Sequence, residues 1–306
     1  MMSQSSFYQE LRAKAVAAAR VGAEVLLRYF EARDSMSDSA LGVEDKGTYD
    51  FVSRADRESE AAILGEIRRH FPEHHVLAEE SGRSSFGNGD YQWLVDPLDG
   101  TTNFLQGLPV FCISVACRRG DEVVAGAVLD PVTDQLFSAA KGAGAHHNGS
   151  PMRASQREGL EGAFLATGYP WRAKAALSRY LGAFHDLFLK ARSIRRCGAA
   201  ALDLAWTAAG VYDGFFEFRL SPWDIAAGVL LVREAGGRVT DLDGREGFPA
   251  GGNVVAGGRL LQPHLLELVQ RHAREGLLDR LVPRETEPDP RIAEPVVSGA
   301  SGGGAP

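Results

Sequence analysis

From Ser6 to Ala32 the apolar residues Leu11, Ala15, Ala18, Val21, Val25, Leu26 and Phe30 recur at helical spacing, which predicts one long amphipathic helix. A polar stretch from Ser35 to Asp45 follows. A second helical period runs from Ser53 to His70, sets Ala55, Ala62, Ile63, Ile67 and Phe71 on one face, and stops at Pro72. Beyond it the period shortens. HHVLAEE and YQWLVD predict two strands around a Gly/Ser-rich loop. VFCISVACRR, EVVAGAVLDP and QLFSAAK, punctuated by the turns RRGDE and DPVTD, predict an antiparallel meander. After the meander the pattern alternates. GAFLATG, GFFEF, RVTDL and NVVAG read as strands, and helices are expected near Ala175 to Lys190, in AAALDLAWTAAG, from Pro222 to Ala235 and from Pro263 to His272. This is an α/β chain with mixed sheets and two sheet-containing lobes that meet near residues 150–160. Residues 283–306 are Pro/Gly-rich and aperiodic, and predict a disordered tail without chemistry.

Composition narrows the class. The 306 residues are 44% apolar, enough to bury a sizeable core. Three cysteines and no CxxC exclude a disulfide framework and a zinc cluster, and Cys112 and Cys117, inside FCISVAC, read as buried thiols. No segment has the pattern of a signal peptide or the length of a membrane span, so the expected location is the cytoplasm. A net charge of −7 argues against a general nucleic-acid binder.

Most of the 40 acids have a bland reading. Glu58 and Glu60 fit a solvated helix face, and Asp121 and Glu122 a hairpin turn. Three segments stand apart. In VLAEESG, Glu79 and Glu80 leave the carboxyl end of a strand, where α/β proteins build their sites. In WLVDPLDGTTNF, Pro97 and Gly100 shape a sharp turn that can aim Asp96, Asp99 and the Leu98 carbonyl at one point, an oxygen-only set that suits Mg²⁺. An ordinary turn with capping aspartates would use the same residues. In SPWDIAAGVLLVREAGG, Asp224 falls in the first turn of a helix, where it either complements the helix dipole or joins a metal cluster.

With these residues in view, the chain resembles the inositol monophosphatase family of Mg²⁺-dependent, Li⁺-sensitive phosphatases. WLVDPLDGTTNF and PWDIAAGVLLVREAGG match its two signatures, and AEESG and DFVSRADRESE fit in order and spacing. The resemblance runs from about Phe7 to about Leu278. It implies a layered α/β catalytic unit over residues 1–282, usually a homodimer. It also implies that Glu79, Asp96 and the Leu98 carbonyl hold a first metal, that Asp96, Asp99 and Asp224 hold a second, and that a third, weaker ion leans on Glu79. Mn²⁺ is an expected substitute. Asp56 and Thr101 would orient a metal-activated water for in-line attack, without a phosphoenzyme. Phosphate would sit against Asp99-Gly100-Thr101, Glu217 would meet substrate hydroxyls, and Gly198 and Ala200 would approach the sugar ring. Lys46 stands where the family has a basic residue near the site. Ala199 stands where relatives often have Thr, so a hydroxyl is missing from that loop.

DGTTNF matches the inositol-phosphate branch more closely than the histidinol-phosphate phosphatases or the bisphosphate nucleotidases, which remain alternatives. Arg195, Arg196 and Arg219 read either as contacts to a second anion or partner subunit or as solvated surface. His146 and His147 read as surface residues of a glycine-rich turn. Some bacterial relatives act on the transcription machinery as RNA-associated factors, so RNA or RNA polymerase is a competing class of partner.

Overall fold

A computed structural model of the chain describes residues 3–33, 44–47, 50–84, 89–249 and 251–274. The first helical period becomes α1 (Gln4–Ala32), with Ser3 accepting from the Ser6 amide at its N-cap. A ribbon of β1 (Glu44–Gly47) and β2 (Asp50–Val52) follows; β1 begins inside the stretch that reads as polar loop. α2 (Arg54–His70) opens with a capping box between Ser53 and Asp56. Next come β3 (His75–Ala78), β4 (Gly82–Ser84), β5 (Tyr91–Asp99) and the short helix α3 (Thr101–Leu105). The meander is β6 (Cys112–Arg119), β7 (Glu122–Asp130) and β8 (Gln135–Ala140), extended by β9 (Ala145–His147) and β10 (Ser150–Pro151). The second half runs β11 (Phe164–Thr167), a 3₁₀ turn (Trp171–Ala176), α4 (Leu177–Phe188), β12 (Ser193–Arg195), α5 (Ala200–Ala208) and β13 (Gly214–Glu217). It ends with α6 (Pro222–Glu234), β14 (Arg238–Thr240), β15 (Val254–Gly257) and α7 (Gln262–Arg274). The tail beginning at residue 283 lies outside the described residues.

Two mixed sheets organise these elements. Eight strands lie in the order β10-β9-β8-β7-β6-β5-β3-β4, and five in the order β12-β11-β13-β15-β14. In the larger sheet β3 and β5 run parallel, so their carboxyl ends finish together. Period two along each strand sorts side chains to opposite faces. On β6, Ile113, Val115 and Cys117 pack with α1 and α2, whereas Cys112 and Ala116 face α5 and α6. On β13, Phe215 faces that same helix pair, and Phe216 turns away toward α4 and α7. The α5/α6 pair is therefore buried between the sheets, and the order of layers is helix, sheet, helix, sheet, helix. That is the α/β fold with mixed sheets expected from the pattern. The strands the pattern missed, β1, β2, β4, β9, β10 and β12, have two to four residues each, too few to display a period.

Two expectations need correction. Glu60 is not on a solvated face: it is buried, and its carboxylate accepts the Glu80 and Ser81 amides at 2.8 and 2.9 Å. His146 and His147 lie on β9 and are half-buried rather than in a surface turn; His147 stacks on Phe137 with centroids 4.4 Å apart.

Buried His74 is stacked between Phe71 and Tyr91 and accepts the indole N–H of Trp93 at 3.1 Å. Desolvation, and secondarily the neighbouring His75, push its pKa below the ordinary 6.5. The folded state thus prefers the neutral ring, and stability is lost as pH falls below the unfolded value, because the unfolded chain then binds the proton more readily. Denaturant titrations between about pH 7 and 5 should show falling stability for the parent and a flatter profile for His74→Gln. Parallel profiles would assign the acid sensitivity elsewhere.

Candidate active site

Asp96 and Asp99 are three residues apart, and in a regular strand they would face opposite sides of the sheet. A bulge in β5 prevents this. Asp96 pairs with Ser114 and Asp99 with Cys112, so three steps on β5 are matched by two on β6. Ser114 and Cys112 share a face, and both aspartates therefore join it, toward α5 and α6. Glu79 continues β3 past Leu77, which faces the same core, and its amide donates to the Val95 carbonyl at 3.1 Å. From the opposite layer α6 presents Asp224 in its first turn, with Pro222 at N1 and the Ser221 amide donating to Asp224 Oδ2 at 2.8 Å. The Ser114 hydroxyl donates to the Trp223 carbonyl at 3.0 Å and ties that helix start to the sheet.

Helix α2 grips the turn from the other side through residues on one face at i, i+3 and i+4. Asp56 is 1% exposed; its Oδ2 accepts the Ser53 amide and hydroxyl, and its Oδ1 accepts the Thr101 hydroxyl at 3.2 Å. The same Thr101 hydroxyl lies 3.1 Å from the Leu98 carbonyl. Ser59 donates to the Pro97 carbonyl at 3.1 Å, and Glu60 holds the turn just after Glu79. Inside the turn, Asp96 Oδ1 accepts the Leu98 amide at 3.0 Å. Gly100, with φ at 96°, makes the reversal into α3.

Burial pushes the Asp96 carboxyl well above the ordinary carboxylate range, and the charges of Glu79, Asp99 and Asp224 push it further. Asp99 is pushed up to about 7 by burial and Asp224, against the pull of the Ala201 and Ala200 amides and the Cys112 thiol. Each carboxylate raises the cost of ionising its neighbour, so the four interact with one another. Among the described residues, no three Asp, Glu, His or Cys side chains stand close enough to form a ready-made cage. The donors are all oxygen, buried or half-buried, and mutually repelling, which fits a hard divalent cation.

The second half of the chain closes over this face. Asp99 Oδ2 accepts the Ala201 amide of α5 at 2.7 Å. Gly198, with φ at 85°, and Ala200 lie in the loop that leads into α5. Glu217 ends β13, and its carboxylate rests directly on Gly168: a Cβ there would come within 1.9 Å of the carboxyl carbon. Arg196 lies over the Tyr169 ring at 5.0 Å, beside the Gly198 backbone, and Arg195 over Phe164 at 4.9 Å. Arg219 holds a left-handed backbone with φ at 62°. Lys46 lies on β1.

A sequence model of the inositol monophosphatase family matches residues 8–274. The chain belongs to the inositol monophosphatase family. The Nus factor SuhB of Salmonella typhimurium is 43% identical over 267 residues, spanning 87% of this chain and 97% of that protein. The extragenic suppressor protein suhB of Bartonella henselae superposes with a TM-score of 0.79 at 38% identity, over 88% of this chain and all of that one. An inositol monophosphatase from Anabaena superposes with a TM-score of 0.75 at 36% identity, over 86% and 96% of the two chains. Membership supports a metal-dependent phosphatase, in a family that generally uses Mg²⁺ and whose members are often dimers. Among the described residues, no helix is long and apolar enough to cross a membrane.

Within the inositol monophosphatase fold, Glu79, Asp96, Asp99 and Asp224 are turned toward one another, Asp56 lies behind the turn on α2, and Glu217 stands at the wall contributed by the second half. Sequence reasoning missed Ser59, Glu60, Cys112, Gly168, Ala201 and Asn103. Ser59 and Glu60 had a signal in their i, i+3, i+4 spacing with Asp56, and Asn103 in its place within WLVDPLDGTTNF. Gly168→Ala should push the Glu217 carboxylate off its seat. If Glu217 meets the substrate's hydroxyls, the Michaelis constant should rise about tenfold with the turnover number nearly unchanged. A fall in turnover alone would place Glu217 elsewhere in the reaction.

Proposed function

We propose that this protein hydrolyses inositol 1-phosphate or a closely related polyol phosphate, with water attacking phosphorus in line with the departing alkoxide. The observation that carries the reading is the β5 bulge that turns Asp96 and Asp99 to one face, toward Asp224 and Glu79, beside the Asp56–Thr101 hydrogen bond. Glu79, Asp96 and the Leu98 carbonyl would hold one Mg²⁺, Asp96, Asp99 and Asp224 a second, and Glu79 a weaker third; Mn²⁺ would fit the same oxygens. Bound there, the ions would supply the positive charge that acidifies water, polarises the phosphoryl oxygens and offsets the alkoxide.

The chain's own residues do the positioning. Asp56 is fixed by Ser53 and receives the Thr101 hydroxyl proton, which leaves a Thr101 lone pair free to orient the attacking water. Water forms the new P–O bond, the ester P–O bond breaks, and the alkoxide leaves with a proton. The Asp99-Gly100-Thr101 backbone would cradle the phosphate, and Glu217, Gly198 and Ala200 would contact the polyol. Residues 1–282 would act as one cytoplasmic catalytic unit of two lobes. Leu177, Leu181, Phe188 and Leu189 are exposed along and just beyond α4, which supports a homodimer through that face. Light scattering tests it: a monomer at micromolar concentration would refute it.

The function is tested by Mg²⁺-dependent phosphate release from inositol 1-phosphate, histidinol phosphate and 3′-phosphoadenosine 5′-phosphate, with and without Li⁺. Fastest, Li⁺-sensitive release from inositol 1-phosphate is expected. A faster second or third substrate would move the protein to the matching branch, and no release would overturn the reading. The name Nus factor carried by relatives such as the Salmonella protein favours a second reading, a regulatory partner of RNA polymerase or structured RNA. Binding that survives Asp99→Asn would support it.

A further inference from the structure

Asn103 lies two residues beyond Thr101 on α3, and nothing in the phosphatase reading uses it. It is buried, and its side-chain amide donates two hydrogen bonds: to the Val110 carbonyl at 2.7 Å, within its own half, and to the Cys197 carbonyl at 2.9 Å, across to the second half. A Cβ on Gly198 would lie 3.4 Å from the same nitrogen, so the amide packs against the loop that leads into α5. Two residues past Ala199, the Ala201 amide donates to Asp99 at 2.7 Å. The loop 197–201 is therefore clasped at both ends by residues of one short segment, Asp99 at one end and Asn103 at the other.

We propose that Asn103 is a positioning residue for the substrate's alcohol, acting through the loop 197–201. The inference rests on the phosphatase reading given above. The physical link is the peptide plane. In a trans peptide the C=O and the following N–H point in opposite directions, so fixing the Cys197 carbonyl also fixes the Gly198 amide. Gly198 holds a φ of 85°, a conformation that glycine adopts freely and leaves just as freely. Without an anchor on the preceding carbonyl, that plane can turn over. Asn103 supplies the anchor, and its second bond, to Val110, prevents the amide from following the loop. Asn103 touches neither the carboxylates assigned to metal nor the phosphate cradle through its side-chain amide, so its effect falls on how the leaving alcohol is held.

The test uses the full chain with Mg²⁺, and the variants Asn103→Asp and Asn103→Ala. Asn103→Asp is isosteric but replaces the donor with an acceptor facing two carbonyls; Asn103→Ala simply removes the anchor and serves if the first variant folds poorly. Amide hydrogen exchange should quicken by about tenfold across residues 197–199 and stay unchanged at Ala201, which Asp99 still holds, and in β5. The Michaelis constant for inositol 1-phosphate should rise about tenfold, the loss expected from one buried hydrogen bond. Turnover number and the Mg²⁺ concentration for half-activity should move less than about twofold, and kinetics with methyl phosphate, whose alcohol is too small to reach the loop, should hardly change. Unchanged exchange in the loop would overturn the clasp. Faster exchange with equal losses on both substrates, or with a shifted Mg²⁺ requirement, would overturn the role in holding the alcohol. If the parent hydrolyses neither substrate, the phosphatase reading fails, while the exchange result still judges the clasp.

Discussion

Asp96→Asn should lower Mg²⁺-dependent turnover by about a thousandfold or more, because cation charge at a phosphoryl centre is worth several kcal/mol. Asp96 is assigned to both principal ions, so a neutral amide weakens both at once. The fold should survive. Asn Oδ1 can still accept the Leu98 amide that Asp96 accepts at 3.0 Å, and the substitution removes one of the charges that repel each other on this face. The metal-free variant should melt at or above the temperature of the metal-free parent. Mg²⁺ should raise the melting temperature of the parent and leave that of the variant nearly still, since only a bound ligand shifts the equilibrium. Phosphate release and melting curves with and without Mg²⁺ check both parts. Retained activity would contradict the ligand assignment, and a large drop in the metal-free melting temperature would show that the Asp96 charge supports the fold.

The second large effect concerns the wall opposite that face. Gly252 has φ at 72°, and a Cβ added there would lie 1.9 Å from the Leu220 carbonyl oxygen. The Leu220 amide donates to the Gly252 carbonyl at 2.9 Å, and the neighbouring Asn253 accepts the Arg219 amide at 3.2 Å. These contacts hold the segment from Glu217 to Asp224, including the left-handed Arg219, whose backbone conformation costs on the order of 1 kcal/mol. Gly252→Ala sets a backbone atom against its new methyl group, so no side chain can yield. A loss of about 3 kcal/mol, or on the order of 10 °C in melting temperature, is expected from the clash and the φ together. Because the displaced segment carries Glu217 at one end and Asp224 at the other, activity should fall well before unfolding. A melting curve matching the parent would show that the loop is not held from Gly252.

The longer helices and strands were legible because each is long enough to display a period or a continuous apolar run between turn signals. The Asp96, Asp99 and Asp224 segments were legible because each sits beside an apolar element in a turn that Pro or Gly shapes. Glu60 was misread for the same reason that Glu58 was read well. Two carboxylates on one helix look alike in sequence, and only the packing of α2 against the Glu80–Ser81 turn makes one of them a buried acceptor. His146 and His147 were misread because a three-residue strand between β8 and β10 has no period to announce it.

Sequence by itself determined the class of fold, the order of its longer elements and a set of candidate oxygen donors, since these depend on periodicity and on motifs read within a few residues. Only the tertiary structure decided that Asp96 and Asp99 share a face, because that depends on a bulge in the pairing of β5 with β6. It also decided which groups hold the site in place. Asn103 reaches Cys197, Asp99 meets Ala201, and Gly168 makes room for Glu217. Each of these contacts joins residues far apart along the chain, and no local pattern records which distant backbone group a side chain will find.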